Sequence, residues 1–124
     1  MDNMRYTKGL RNLEKIDGTA GKKVINSLKD ISPETGQFII EFAFGDIYER
    51  KTLNLKQREM ITLSSLVTQG DTHNQLIVHI NGALNVGLTP NEIIEIFVQC
   101  IPYVGFPKVL NAINTAKEVL NSKK

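Results

Sequence analysis

An all-α fold is predicted by three features of the 124-residue chain. Apolar residues recur at spacings of three and four, no segment alternates as a half-buried strand would, and helix start signals repeat along the length. About six helices are expected. With 41% hydrophobic and 23% charged residues, the chain fits one globular domain, 1–124, able to bury its own core.

The first helix carries Leu10, Leu13 and Ile16 and stops at Asp17–Gly18. A second carries Val24, Ile25 and Leu28 and ends before Pro33. In "SPETGQFIIEFAFGDIYER", Ser32 is placed to accept from a free backbone N–H, and Pro33 occupies the first helical position, where its missing donor costs nothing. That helix should run towards Tyr48. The next, in "LNLKQREMITLSSLVTQGD", has Asn54 as N-cap, Gln57 as its reciprocal partner and Gly70 for the left-handed closing turn. Its apolar face reads as Met60, Ile61, Leu63, Leu66 and Val67.

Asp71 is expected to cap the following helix, which Gly87 ends. "GLTPNEIIEIFVQCIPYVGFP" then opens with Thr89 as N-cap, Pro90 first and Glu92 positioned to bond back to the Thr89 N–H. From Ile93 to Ile101 the residues are apolar on nearly every side, as in a central helix or one buried between subunits, so an oligomer is expected. Pro102 should bend or end that helix. A last helix carries Val109, Leu110, Ile113, Ala116 and Leu120, and no repeat or low-complexity tract interrupts the chain.

Composition excludes several functions. Fifteen Lys and Arg against 13 Asp and Glu give a net charge of +2, too small and too evenly spread for a nucleic-acid partner. No signal-peptide pattern opens the chain, and no window approaches the roughly 20 apolar residues of a membrane span, so no membrane partner and a cytoplasmic location are expected. The single cysteine, Cys100, forms no internal disulfide and begins no structural zinc site.

Two histidines lie on one expected helix, in "QGDTHNQLIVHINGALNVG". At roughly 100° per residue, Thr72, Gln75, His79 and Val86 fall along one side, beside the stripe of Leu76, Ile80 and Ala83. His79 therefore sits at a core boundary, either as a half-buried ring bonded to a neighbour or as a working residue. His73 points about 120° away by the same arithmetic, so the rings do not share a metal, and no metal site is expected. As a first-turn residue, His73 is assigned no chemistry.

Taken together, "REMITLSSLVTQGDTHNQLIVHINGALNVGLTPNEIIEIFVQCIPYVGFPKVLNAI" resembles the carboxymuconolactone decarboxylase family. The order is an Arg-Glu helix, a helix with a central histidine, "GLTPNEIIEI", "YVGFP" and a closing amphipathic helix. The resemblance covers about Gln37 to Val119. It implies an AhpD-like all-helical subunit that assembles into homotrimers or homohexamers, with active sites near subunit contacts. Members resembling the alkylhydroperoxidase AhpD carry a Cys-x-x-Cys pair before the central histidine. Aligned on His79, those places hold Thr72 and Gln75, neither of which can form a thiolate or pass electrons.

The decarboxylase members lack that pair, and their reaction, in which a carboxylated unsaturated lactone loses carbon dioxide, needs no cofactor. By resemblance His79 is the candidate proton donor or electrostatic stabiliser. Glu59 would orient its ring and Arg58 would hold a substrate carboxylate. Thr72, Gln75 and Tyr103 are candidates to line the same cavity. The alternative for each is a packing or surface role. The expected activity is that of a cofactor-free carboxy-lyase on a small unsaturated carboxylate or lactone. A peroxidase-like redox protein relying on Cys100, and a non-catalytic binding or assembly module, are the rival readings.

Overall fold

The computed structural model describes residues 3–123. Among these, all regular structure is helical: α1 (Met4–Leu28), α2 (Pro33–Phe38) continuing as a π-helical segment (Ile39–Ile47), α3 (Leu55–Gln69), α4 (His73–Asn85), α5 (Pro90–Val104) and α6 (Phe106–Ser122). The all-α reading holds, and the helices fall into two compact units divided between Leu55 and Lys56. No helix among the described residues is long and apolar enough to cross a membrane.

In the first unit, Asn3 caps α1 by accepting from the Tyr6 N–H. The two helices expected on either side of Asp17–Gly18 form one run broken at Gly18, whose φ of 55° and ψ of −133° are not helical. Ser32 stands at the start of α2 with Pro33 in the first turn, but its hydroxyl meets Thr35 Oγ1 instead of a backbone N–H. The helix towards Tyr48 departs from the expected α form. Its turns widen from Ile39, so that the Tyr48 N–H bonds the carbonyl of Ala43, five residues back.

Glycine spacing lets this widened segment lie against α1 almost backbone to backbone. A methyl group on Gly9 would lie 1.8 Å from the Ile40 carbonyl oxygen, and one on Gly45 would lie 2.5 Å from that of Arg5. Buried polar groups around the contact are satisfied. Asn12 donates to the Phe44 carbonyl at 2.8 Å and to Glu49 at 2.9 Å. The Glu41 carboxylate accepts from Asn3 and Gln37.

In the second unit, α3 to α6 enclose a core that includes Leu63, Val67, Leu76, Ile80, Ile93, Phe97, Val109 and Ala116. The inward seam of α3 is Glu59, Leu63 and Val67, one turn apart each time. Met60 and Ile61, expected on the apolar face, are instead 42% and 52% exposed. Gly70 closes α3 at φ 71°, bonding the Leu66 carbonyl. Asp71 does not cap α4. It takes a positive φ of 53°, and Thr72 occupies the capping position. The Thr72 hydroxyl donates to the Leu66 carbonyl at 2.7 Å, so the α3–α4 turn is tied before α4 begins.

At the far end of α4, Gly87 at φ 106° turns the chain as expected. The Leu88 N–H then reaches the Ala83 carbonyl and the Gly87 N–H that of Leu84, satisfying carbonyls the helix leaves over. Both bonds of the Thr89–Glu92 capping box are present, at 3.1 and 2.8 Å. Pro102 does not end α5, which continues to Val104 and stops at Gly105, φ 96°. The carbonyl that Pro102 leaves without a donor belongs to Val98, on an exposed turn open to water. Nor is α5 apolar all round within one chain: Ile93, Ile96, Phe97 and Cys100 are buried, while Glu95 and Gln99 are exposed.

Candidate functional site

Glu59 reaches the interior because it begins the α3 seam one turn before Leu63, and its side chain is fully enclosed at 0% exposure. His79 comes from the middle of α4, one residue before the buried Ile80. Its ring Nδ1 lies 3.1 Å from Glu59 Oε2 and 3.3 Å from Oε1, and its side chain retains 19% exposure. The buried carboxylate therefore holds the orientation of the imidazole ring through Nδ1.

The remaining candidates are dispersed. Arg58 is partly buried, Gln75 is exposed, and Tyr103 is 82% exposed in the single chain. Thr72 lines a cavity of about 310 Å³ together with His73, Lys108, Asn111, Thr115 and Glu118, a lining that includes neither Glu59 nor His79. His73, assigned no chemistry from its place in the first turn, has well-defined partners there. Its Nδ1 lies 3.0 Å from Thr115 Oγ1 and its Nε2 lies 3.4 Å from Glu118 Oε2. The Thr115 hydroxyl itself donates to the Asn111 carbonyl, so it accepts from the ring. Sequence reading missed this tie between α4 and α6 because it joins residues 42 positions apart. The one legible signal was polar Thr115 and Glu118 on a helix otherwise read by its apolar stripe.

Cys100 is buried at 9% exposure, and that burial pushes its thiol above the ordinary cysteine range. A neutral, enclosed thiol is a poor nucleophile. With no second cysteine in the sequence, no sulfur couple stands near His79.

The sequence model of the carboxymuconolactone decarboxylase family matches residues 33–118. The chain belongs to this family. A 4-carboxymuconolactone decarboxylase of Acinetobacter baylyi is 30% identical over 122 residues, 95% of this chain and 88% of that one. A nitrosuccinic acid decarboxylase of Metarhizium robertsii is 32% identical over 108 residues, covering 85% and 75% of the two chains. An uncharacterised 15.0 kDa protein of Paracoccus denitrificans is 27% identical over 96 residues, 77% of this chain and 72% of its own. Within the carboxymuconolactone decarboxylase family, this member has Thr72 and Gln75 where peroxidase-like relatives are expected to carry cysteines, and it pairs its central histidine with a carboxylate.

Proposed function

We propose that the protein is a cofactor-free carboxy-lyase acting on a small, electron-poor carboxylate, of the unsaturated acid or lactone class, with His79 as the proton-transferring residue. The observation that carries this reading is the enclosed Glu59 carboxylate on Nδ1 of a partly exposed His79. Two relatives named as decarboxylases support it. Their named substrates share one property: a carboxyl group in a molecule whose lactone or nitro group can take up an electron pair.

The steps follow from that property. The C–C bond to the carboxylate breaks, carbon dioxide leaves, and the electron pair spreads into the electron-withdrawing group. The delocalised carbanion then takes a proton at carbon. His79, protonated on Nε2, supplies it and is reprotonated from water. Glu59 stabilises the imidazolium before the transfer and keeps Nδ1 occupied after it, so the same nitrogen serves in every turnover. Arg58 is assigned the second carboxylate of the substrate, which a guanidinium holds through paired hydrogen bonds. Gln75 and Tyr103, dispersed in the single chain, are assigned to substrate contacts in the assembled oligomer, whereas Thr72 belongs to the His73 cavity. Homo-oligomeric assembly belongs to the same reading, supported by the exposure of Val98, Tyr103, Phe106 and Leu110 in the single chain.

The test is direct. Purified protein is given carboxymuconolactone, nitrosuccinate and a panel of related unsaturated acids, and carbon dioxide release is followed. Release that disappears in His79→Ala while the helical content persists is the expected result. Failure to release carbon dioxide from any of them would end the lyase reading. A redox role through Cys100 is disfavoured by its burial and by the upward displacement of its thiol.

A further inference from the structure

Thr115 interrupts the buried face of α6. Ala112, Ala116 and Val119 are buried on that helix, and Thr115 among them is 3% exposed. Packing alone asks for an aliphatic side chain at such a place, because a buried hydroxyl costs free energy unless it is hydrogen-bonded. This hydroxyl has two partners. It donates to the Asn111 carbonyl at 3.0 Å and meets His73 Nδ1 at 3.0 Å, so it joins α6 to the first residue of α4.

The same helix holds the end of α3. Lys108 lies about two turns before Thr115 and therefore on the same side of α6. Its Nζ donates to the Thr68 carbonyl at 3.1 Å, in the last turn of α3. Between these two ties the Thr72 hydroxyl secures the α3–α4 turn to the Leu66 carbonyl at 2.7 Å. One side of α6 thus grips both the last turn of α3 and the first turn of α4.

Glu59 and His79 depend on such a frame. The backbone of α4 packs against α6 and, less closely, α5, and approaches that of α3 little. The 3.1 Å contact between His79 Nδ1 and Glu59 is therefore made by side chains reaching across two helices whose spacing is set elsewhere. His79 stands about 9 Å along α4 from His73. A slip of α4 at its start reaches His79 nearly undiminished, and a misplacement of about 1 Å at a reacting group can cost about 100-fold in rate.

We propose that Thr115 is a positioning residue for the Glu59–His79 pair, acting through His73 to fix where α4 lies along α6. The cavity that Thr115 and His73 line includes neither Glu59 nor His79, so the influence passes along the helix. Its effect on turnover rests on the reading of His79 as the proton-transferring residue, whereas its effect on the geometry of the pair does not.

The experiment compares full-chain wild type with Thr115→Val, Thr115→Ser, His73→Leu and Asn114→Ala. The imidazole nitrogen resonances of His79, assigned by their loss in His79→Gln, are followed by NMR beside carbon dioxide release. Thr115→Val keeps the shape and removes the hydroxyl. It should move the His79 Nδ1 resonance and lower kcat about 10- to 100-fold while KM changes little. Thr115→Ser, which keeps the hydroxyl, should return both towards wild type. His73→Leu breaks the tie from its exposed side, so it should reproduce the valine result and carries the test if Thr115→Val does not fold. Asn114→Ala, an exposed neighbour lining the same cavity, should change neither readout. A His79 resonance that stays in place in Thr115→Val and His73→Leu overturns the proposal even where urea unfolding shows lost stability, because the tie then holds only the fold. A shift that serine does not restore, a shift equalled by Asn114→Ala, or an unchanged kcat in an active enzyme overturns it as well. A wild type that releases no carbon dioxide ends the lyase reading alone, and the resonances then decide whether Thr115 places His79.

Discussion

His79 Nδ1 lies 3.1 Å from a Glu59 carboxylate oxygen on a side chain with no exposure at all. A buried carboxylate that meets one nitrogen of a partly exposed ring holds the orientation of that ring. Glu59→Gln keeps the shape but removes the charge that stabilises the imidazolium. It should lower kcat for carbon dioxide release by about 10- to 100-fold while KM changes much less. Glu59→Asp, which keeps a carboxylate, should recover part of the loss. Equal effects on kcat and KM, or an Asp variant no better than Gln, would show Glu59 to be a packing residue.

His79→Gln retains an N–H donor for the Glu59 carboxylate, so it separates chemistry from folding. Activity should fall by about 100- to 10,000-fold, the range expected for removal of a general acid. The urea midpoint should move little. A variant that keeps its turnover would remove His79 from the mechanism.

Cys100 should be silent. Its thiol is enclosed and displaced upward by burial, so at neutral pH it stays protonated. An aromatic disulfide reagent should react at least about tenfold more slowly with native than with urea-denatured protein. Cys100→Ser should leave carbon dioxide release intact. Fast native labelling would reopen a redox role.

Two glycine substitutions should have opposite signs. Gly9→Ala would place its methyl 1.8 Å from the Ile40 carbonyl oxygen, and backbone cannot step aside as a side chain can. A loss of about 3 kcal/mol is expected, the upper part of the range for overpacking. Gly36 lies within α2 with only side-chain atoms at 3.5 Å or beyond. Gly36→Ala should therefore stabilise by about 0.4–1 kcal/mol, by narrowing the unfolded ensemble. Urea unfolding of both variants tests the pair, and a tolerated Gly9→Ala would contradict the close approach of the π-helical segment.

The capping box makes a pH prediction. Hydrogen bonds from the Thr89 backbone and side chain hold the Glu92 carboxyl below its usual range. Its contribution to stability is thus present above the unfolded glutamate range and is lost as pH falls through the lower folded value. Wild type should lose more stability than Glu92→Gln across that acidic window. Thr89→Ala should cost about 1 kcal/mol near neutral pH. Parallel acid titrations of wild type and Glu92→Gln by circular dichroism would refute the assignment.

Helix boundaries were legible wherever a short-range signal decides the backbone. The Thr89–Pro90–Glu92 start, the glycine stops at Gly70 and Gly87 and the break at Gly18 involve residues within a turn of one another. Where a boundary depended on competition, the reading slipped. Asp71 and Thr72 both qualify as caps, and the Thr72 bond to Leu66 settled the matter. Pro102 reads as a stop, yet an exposed turn tolerates the missing donor.

The sequence by itself determined that this chain is helical, that α4 carries a histidine at the edge of its apolar stripe, and that no cysteine pair accompanies it, because composition and helical periodicity need no partner to be read. Tertiary structure alone decided that Glu59 turns inward while Met60 and Ile61 turn out, that the segment from Ile39 widens into a π-helix, and that His73 is tied to Thr115. Neighbouring residues on a helix differ by about 100° in direction, so a rotation of α3 by one residue exchanges a carboxylate for a methionine at the core, and only packing against the other helices selects between them.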